Sequence, residues 1–168
     1  MYKKVRYLTH GALIAALYVG LTYFQNTIWP ESATWMIQFR LSEALCVLAL
    51  FTPAAIPGLT VGCFLFNISY AGALPLDFLV GSLASFLATG AMWLSRKWTV
   101  KDYPMLSLLM PAVFNGVLVG WELSVYIGGG WLLNGIYVAI GEAAVLLSLG
   151  SLLYYCLKRR HLGDILFG

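Results

Sequence analysis

Four carboxylates, Glu43, Asp77, Glu122 and Glu142, stand inside stretches otherwise apolar enough to lie in a membrane. An ionised acid in hydrocarbon costs several kcal/mol, about 2.5–3.5 for Asp at a helix centre. Acids kept at that cost hold something polar. A carboxylate accepts hydrogen bonds and attracts cations, so the chemistry on offer is recognition of N–H donors and positive charge. Two amides extend the pattern. Asn115 precedes Glu122 by two helical turns and Asn134 precedes Glu142 by eight residues, so each shares a helix face with its acid. Structural uses compete for the other two acids. Arg40 and Glu43 stand at i, i+3 and can pair with each other. Asp77 opens a helix, where an acid caps backbone N–H groups or meets the helix dipole.

Catalytic signatures are missing. There is no GxxxxGK[ST] phosphate loop, no HExxH and no GxSxG elbow. His10 and His161 are too isolated for a metal site. Cys46, Cys63 and Cys156 sit singly in apolar helices, without metal or CxxC spacing, and read as small core residues. The chain is expected to bind or translocate a solute, with no cofactor, no metal and no ATPase activity of its own.

The elements that must position these residues follow from hydropathy. The 168 residues are 61% hydrophobic and 10% charged, against about 25% charged in a soluble domain. This composition predicts an all-α membrane protein, a bundle of six transmembrane helices, with residues 1–168 forming a single domain. Helices are expected at about Tyr7–Phe24, Phe39–Phe51, Gly58–Tyr70, Leu76–Ser95, Pro104–Ile127 and Trp131–Leu157. The second and third are short. The first apolar run reads as a span rather than a cleaved leader. Pro and Gly mark turns at Thr52–Gly58 and Ala71–Pro75, and Gly128-Gly129-Gly130 separates the last two helices. Cations cluster at Lys3, Lys4 and Arg6, at Arg96, Lys97 and Lys101, and at Lys158, Arg159 and Arg160. Six spans put all three clusters on one side, which the positive-inside rule makes cytoplasmic, with both termini inside. Basic residues confined to membrane edges give no nucleic-acid footprint.

That topology sets the depth of the acids. Glu43, Arg40 and Asp77 fall in the first turns below the outer surface. Glu122 lies roughly 7–8 Å down and Glu142 roughly 16 Å, at 1.5 Å per residue. No cation of the chain is expected at the depth of Glu142. The result is a polar cavity open to the outside, lined by Glu43, Asp77, Asn115, Glu122, Asn134 and Glu142. Trp29, Trp35, Trp121, Trp131 and Tyr126 ring its mouth, as ligand platforms or as interface anchors. A planar ligand rich in hydrogen-bond groups suits such a site.

Helix one carries a second signal. Ala12, Ala16 and Gly20 recur at four-residue spacing. Small residues at that period admit a close helix neighbour, either inside the bundle or in a partner membrane protein.

The chain resembles the QueT family, substrate-binding S components of energy-coupling factor (ECF) transporters. The resemblance rests on Gln38-Phe39-Arg40-Leu41-Ser42-Glu43-Ala44-Leu45, on Phe51-Thr52-Pro53-Ala54-Ala55-Ile56-Pro57-Gly58-Leu59, and on Gly62-Cys63 with Asn67. Phe78-Leu79-Val80-Gly81-Ser82-Leu83-Ala84 and Gly141-Glu142-Ala143 continue it, so that it covers most of the chain. It implies a six-helix S-component fold in a bacterial plasma membrane and uptake of a queuosine precursor, either queuine or another 7-deazaguanine. It also implies assembly with a transmembrane coupling protein and two ATPase subunits. Helix one, through Ala12, Ala16 and Gly20, would ride on the coupling protein, and residues 25–38 would gate the ligand.

The residues fit that implication. A deazaguanine presents N1–H and an exocyclic amine on one edge, which a carboxylate accepts as a pair. Glu142 or Glu122 would take that edge and Asn115 or Asn134 the carbonyl. Glu43 or Asp77 would balance a cationic amine. The surplus of acids argues against folate, whose glutamate is anionic. The rival expectations are an S component for another vitamin, a small autonomous proton-coupled carrier with Glu142 as relay, and a structural protein whose acids pair internally.

Overall fold

The computed structural model describes residues 2–30, 39–159 and 163. Among them the regular elements are helices: α1 (Tyr2–Ile28), α2 (Leu41–Leu50), α3 (Ala55–Ser69), α4 (Asp77–Ser95), α5 (Met105–Tyr126) and α6 (Trp131–Arg159). Four of them, α1, α4, α5 and α6, are long and apolar enough to cross a membrane. The expectation that the second and third helices fall short holds: α2 has 10 residues and α3 has 15, against about 20 for a full span. Large apolar side chains cover the outside of the bundle, among them Leu13, Leu17, Leu79, Leu83, Leu132 and Leu152, each at least half exposed. Such a surface is stable against lipid and not against water.

Local sequence explains where the helices depart from regularity. The expected turn over Thr52–Gly58 is shorter, because α3 already starts at Ala55. Pro57 sits in its first turn, where a backbone N–H has no partner to lose. The fifth helix breaks at Leu109, between Met105–Leu108 and Met110–Tyr126. Pro111 is the cause: it lacks the N–H that would bond Ser107, and its ring crowds that carbonyl. α6 opens into a π turn over Leu146–Gly150, which ends where Gly150 packs on Val47 of α2.

α2 is wound throughout as a 3₁₀ helix. At three residues per turn, side chains at i and i+3 eclipse. Arg40, Glu43, Cys46 and Ala49 therefore line one edge. Runs of this length are uncommon, and α2 is held from outside, by bonds from α1 described below.

Glycines set two tight seams. α1 meets α3 where a Cβ on Gly58 would stand 2.7 Å from the Gly11 carbonyl and one on Gly62 2.8 Å from the Tyr18 Cβ. α5 meets α6 where a Cβ on Gly120 would stand 2.5 Å from the Gly135 Cα. Gly128 and Gly129, at φ 89° and 80°, make the turn between α5 and α6 in a conformation that side chains disfavour. A further cluster closes the opposite end. Ser95 and Ser107 hydrogen-bond at 2.8 Å between α4 and α5, and Tyr154 and Lys158 of α6 both donate to the Asp102 carbonyl.

Candidate functional site

The candidate residues gather toward the end of the bundle where α1 stops and α2, α4 and α6 begin. All four acids are buried: Glu122 and Glu142 at 0% exposure, Glu43 at 1% and Asp77 at 5%. Arg40, Asn115 and Asn134 are buried as well.

The deepest pair crosses the α5/α6 seam. The Asn115 amide Nδ2 donates to Glu142 Oε2 at 2.8 Å. The backbones come close enough for this bond because Gly116 and Gly135 carry no side chains between them. Glu142 Oε1 and Asn115 Oδ1 stay without a hydrogen-bond partner, and so do both carboxylate oxygens of Glu122. The Asn134 amide donates to the Gly128 carbonyl at 3.0 Å, tying down the glycine turn, and its Oδ1 is also unpartnered. These are buried acceptor atoms. Leaving a buried polar group unpaired costs about 1–3 kcal/mol.

Asp77 stands beside Glu122, and the two carboxyls act on each other. Asp77 is also part of the local fold. Its Oδ2 accepts the Leu74 backbone N–H at 2.8 Å, closing the turn before α4, and its carbonyl accepts from Asn67 of α3 at 2.9 Å. Asp77 thus stands in the first turn of α4, where an acid meets the helix dipole, but its bond closes the preceding turn and does not cap the helix.

Glu43 has one partner from α1 and one from its own helix. Its Oε1 accepts from the Tyr18 hydroxyl at 2.8 Å and its Oε2 from Cys46 Sγ at 3.1 Å. Arg40 is the common counter-charge. It acts on Glu43 and Asp77, on Glu122 and on Glu142. Arg40 is itself buried, at the start of α2. Among the described residues, Arg40 is the cation whose charge acts on all four carboxyls.

α1 sets the position of that guanidinium. Gln25 straddles Arg40, its Nε2 donating to the Phe39 carbonyl and its Oε1 accepting the Leu41 N–H at 2.7 Å. One turn back, Thr22 Oγ1 bonds Ser42 Oγ at 2.8 Å. Another turn back stands Tyr18, on Glu43. The three side chains are 1–3% exposed. They form a polar ladder at i, i+4, i+7, a spacing that places them on one helix face. Sequence reasoning missed Tyr18, Thr22, Gln25 and Cys46. The signal was there: three hydrogen-bonding side chains at helical spacing in an apolar span.

Not every candidate joins this group. Trp121 and Trp131 are about half exposed. The Trp131 indole N–H donates to the Val117 carbonyl at 2.9 Å, and the ring lines an apolar groove between α5 and α6. That is an anchor's placement, outside the buried acids. Trp29 stacks on Phe39, next to Arg40, with ring centroids 6.3 Å apart. Trp35 and residues 31–38 of the expected gate lie outside the described residues. Ala12, Ala16 and Gly20 are exposed on α1, whereas Ala15 and Tyr18 face inward. Cys46 and Cys63 are buried as expected, but Cys156 is exposed on the apolar surface. Among the described residues no group of His, Cys, Asp and Glu has the arrangement of a metal site.

No curated protein and no solved structure matches the chain. The QueT transporter family profile matches residues 8–159 of the 168. That span runs from the first turns of α1 to the end of α6 and includes each buried acid and amide described above. With its multi-pass apolar helices and its buried polar centre, the chain belongs to the QueT transporter family, as a membrane transport protein.

Proposed function

We propose that this protein is the substrate-binding S component of an ECF-type importer and that it binds a 7-deazaguanine, a queuosine precursor or queuine. The observation that carries the reading is the set of unpartnered acceptors: both oxygens of Glu122, Glu142 Oε1, Asn115 Oδ1 and Asn134 Oδ1. A ligand that satisfies them is rich in N–H donors. A 7-deazaguanine offers N1–H, an exocyclic amine and a pyrrole N–H on a flat ring. Glu142, aligned by Asn115, takes the N1–H and amine edge as a paired contact. Glu122 beside Asp77 takes a cationic aminomethyl group, since a pair of adjacent carboxyls attracts a cation.

The proposed orientation places both termini on the cytoplasmic side of a bacterial plasma membrane. The acid cluster then opens outward, and residues 25–38 act as its gate. The exposed Ala12, Ala16 and Gly20 stripe forms the docking face for a transmembrane coupling protein, which in turn carries two ATPase subunits. Nucleic acid has no part in this assembly.

The test is mass spectrometry of small molecules retained by the purified full chain, followed by calorimetric titration with 7-aminomethyl-7-deazaguanine, 7-cyano-7-deazaguanine and queuine. Tight binding of one of them with copurification of ATPase subunits is the expected result. A different retained vitamin would replace the substrate. Uptake that persists without any ATPase partner would replace the mechanism with that of an autonomous carrier.

A further inference from the structure

Two carboxyls meet where α4 packs on α5. Leu74 and Val80, on either side of Asp77, pack against a cluster built from Val119 and Leu123, around Glu122, and Val138 of α6. The Asp77 and Glu122 side chains stand side by side and are buried. Their partners differ. Asp77 Oδ2 accepts the Leu74 N–H at 2.8 Å, and Asn67 of α3 holds the Asp77 carbonyl at 2.9 Å. Among the described residues no donor reaches either oxygen of Glu122. Two buried carboxylates side by side repel, so the arrangement calls for a proton or a cation between them. Arg40 acts on both acids, but it acts on Glu43 and Glu142 as well. The other elements bring no further positive charge to the pair. α3 meets Asp77 with the neutral amide of Asn67. α6 meets α5 at Gly120 with Asn134, also neutral, and its acid Glu142 is engaged by Asn115 and influenced by Glu43. Asp77 already has a donor in the Leu74 N–H and Glu122 has none. A single proton is therefore best placed on Glu122, whose O–H then donates to Asp77.

We infer that Glu122 and Asp77 share one proton in the ligand-free protein and that a ligand ammonium group takes its place, so that the pair selects ligands by the charge of their side arm. The identity of the amine rests on the 7-deazaguanine reading above; the shared proton does not. The exchange balances. The Glu122 O–H bond breaks and its proton goes to solvent, while the ammonium keeps its own protons and donates to both carboxylates. One positive charge leaves as another arrives, so the pocket around Arg40 keeps its net charge. A nitrile side arm brings no charge and leaves the proton where it is. Protons and amine then compete for one place, and by linkage acid weakens amine binding.

Calorimetric titration of the purified full chain, in buffers of different ionisation enthalpy, counts the protons. Binding of 7-aminomethyl-7-deazaguanine is expected to release about one proton and to tighten about tenfold from roughly pH 6 to pH 7. Binding of 7-cyano-7-deazaguanine is expected to release none and to keep its affinity over the same range. In Glu122→Gln the proton release is expected to vanish, and the preference for the amine over the nitrile to fall by about tenfold. Asp77→Asn keeps an acceptor oxygen for the Leu74 N–H, is expected to show the same two losses, and keeps the test open should Glu122→Gln fold poorly. Infrared spectra read the proton without any ligand. The ligand-free wild type is expected to show the C=O stretch of a protonated buried carboxyl, absent in Glu122→Gln. Amine binding without proton release overturns the inference, and so does a wild type that lacks this band. A wild type that shows the band and binds neither 7-deazaguanine supports the shared proton and overturns the substrate reading alone.

Discussion

The Asn115 amide donates to one oxygen of Glu142 across the α5/α6 seam and leaves the other oxygen unpartnered. A carboxylate held at one oxygen is fixed in rotation, so the free oxygen points in a set direction. This is how a deep acid is prepared for one ligand edge without being consumed by the fold. Glu142→Gln keeps the shape and removes the charge. It is expected to weaken ligand binding by about 1.5–3 kcal/mol, the size of a hydrogen bond to a charged group, with unchanged helicity and unfolding temperature. Calorimetric titration beside circular dichroism checks it. Wild-type affinity in the folded variant would remove Glu142 from the ligand contacts.

Tyr18 and Glu43 make a different kind of pair. Both Glu43 oxygens are occupied, by Tyr18 and Cys46, so this acid is held by the chain itself. Tyr18→Phe leaves a buried carboxylate oxygen without its donor and is expected to destabilise the protein by about 1–3 kcal/mol. Glu43→Gln should reduce that loss, because the remaining oxygen is then neutral. Thermal unfolding of the two single variants and the double variant measures the coupling. Additive losses would mean that the bond is energetically idle.

Much of this was legible in the sequence. Hydropathy and the Pro and Gly punctuation locate six helices, and α4 ends at Ser95 as expected. Glu122, Glu142, Asn115 and Asn134 stand out because a polar residue in an apolar run has no local explanation. What escaped is relational. Nothing in the spacing of α2 says that Glu43 is bonded to a tyrosine 25 residues earlier, because that partner is set by tertiary packing of α1 on α2. The 3₁₀ winding escaped as well, because Leu41–Leu50 holds good α-helix formers. The break at Leu109 was predictable from Pro111, while the start of α5 at Met105, next to Pro104, falls where it was expected. Trp131 resembles a ligand platform in sequence, yet an indole at a helix start on the lipid side finds the Val117 carbonyl first.

The Gly120–Gly135 contact links packing to the site. A Cβ on Gly135 would stand 2.6 Å from the Gly116 carbonyl, a backbone atom with no freedom to swing away. Gly135→Val must therefore push α5 and α6 apart. The expected cost is about 1–3 kcal/mol, typical of overpacking. The same displacement lengthens the Asn115–Glu142 bond, so ligand affinity should fall together with stability. Unfolding temperatures with and without ligand test this. A variant that loses stability but keeps its full ligand-induced stabilisation would show that the seam and the site are independent.

Ala16 decides whether the small-residue stripe serves a partner or the bundle. It is exposed, and its neighbours on the helix surface, Ala12 and Gly20, are exposed too. A large side chain there points into lipid in the solitary protein and meets nothing of its own chain. Ala16→Trp is therefore expected to fold and to bind ligand like wild type, while blocking close approach of another helix. Co-elution with the coupling protein and ATPase subunits should be lost, and ATP-driven uptake with it, while calorimetric affinity of the isolated subunit stays within about twofold, or roughly 0.4 kcal/mol. Loss of ligand binding instead would mean that α1 presents this face inward. Retained assembly would mean that the partner approaches by another helix.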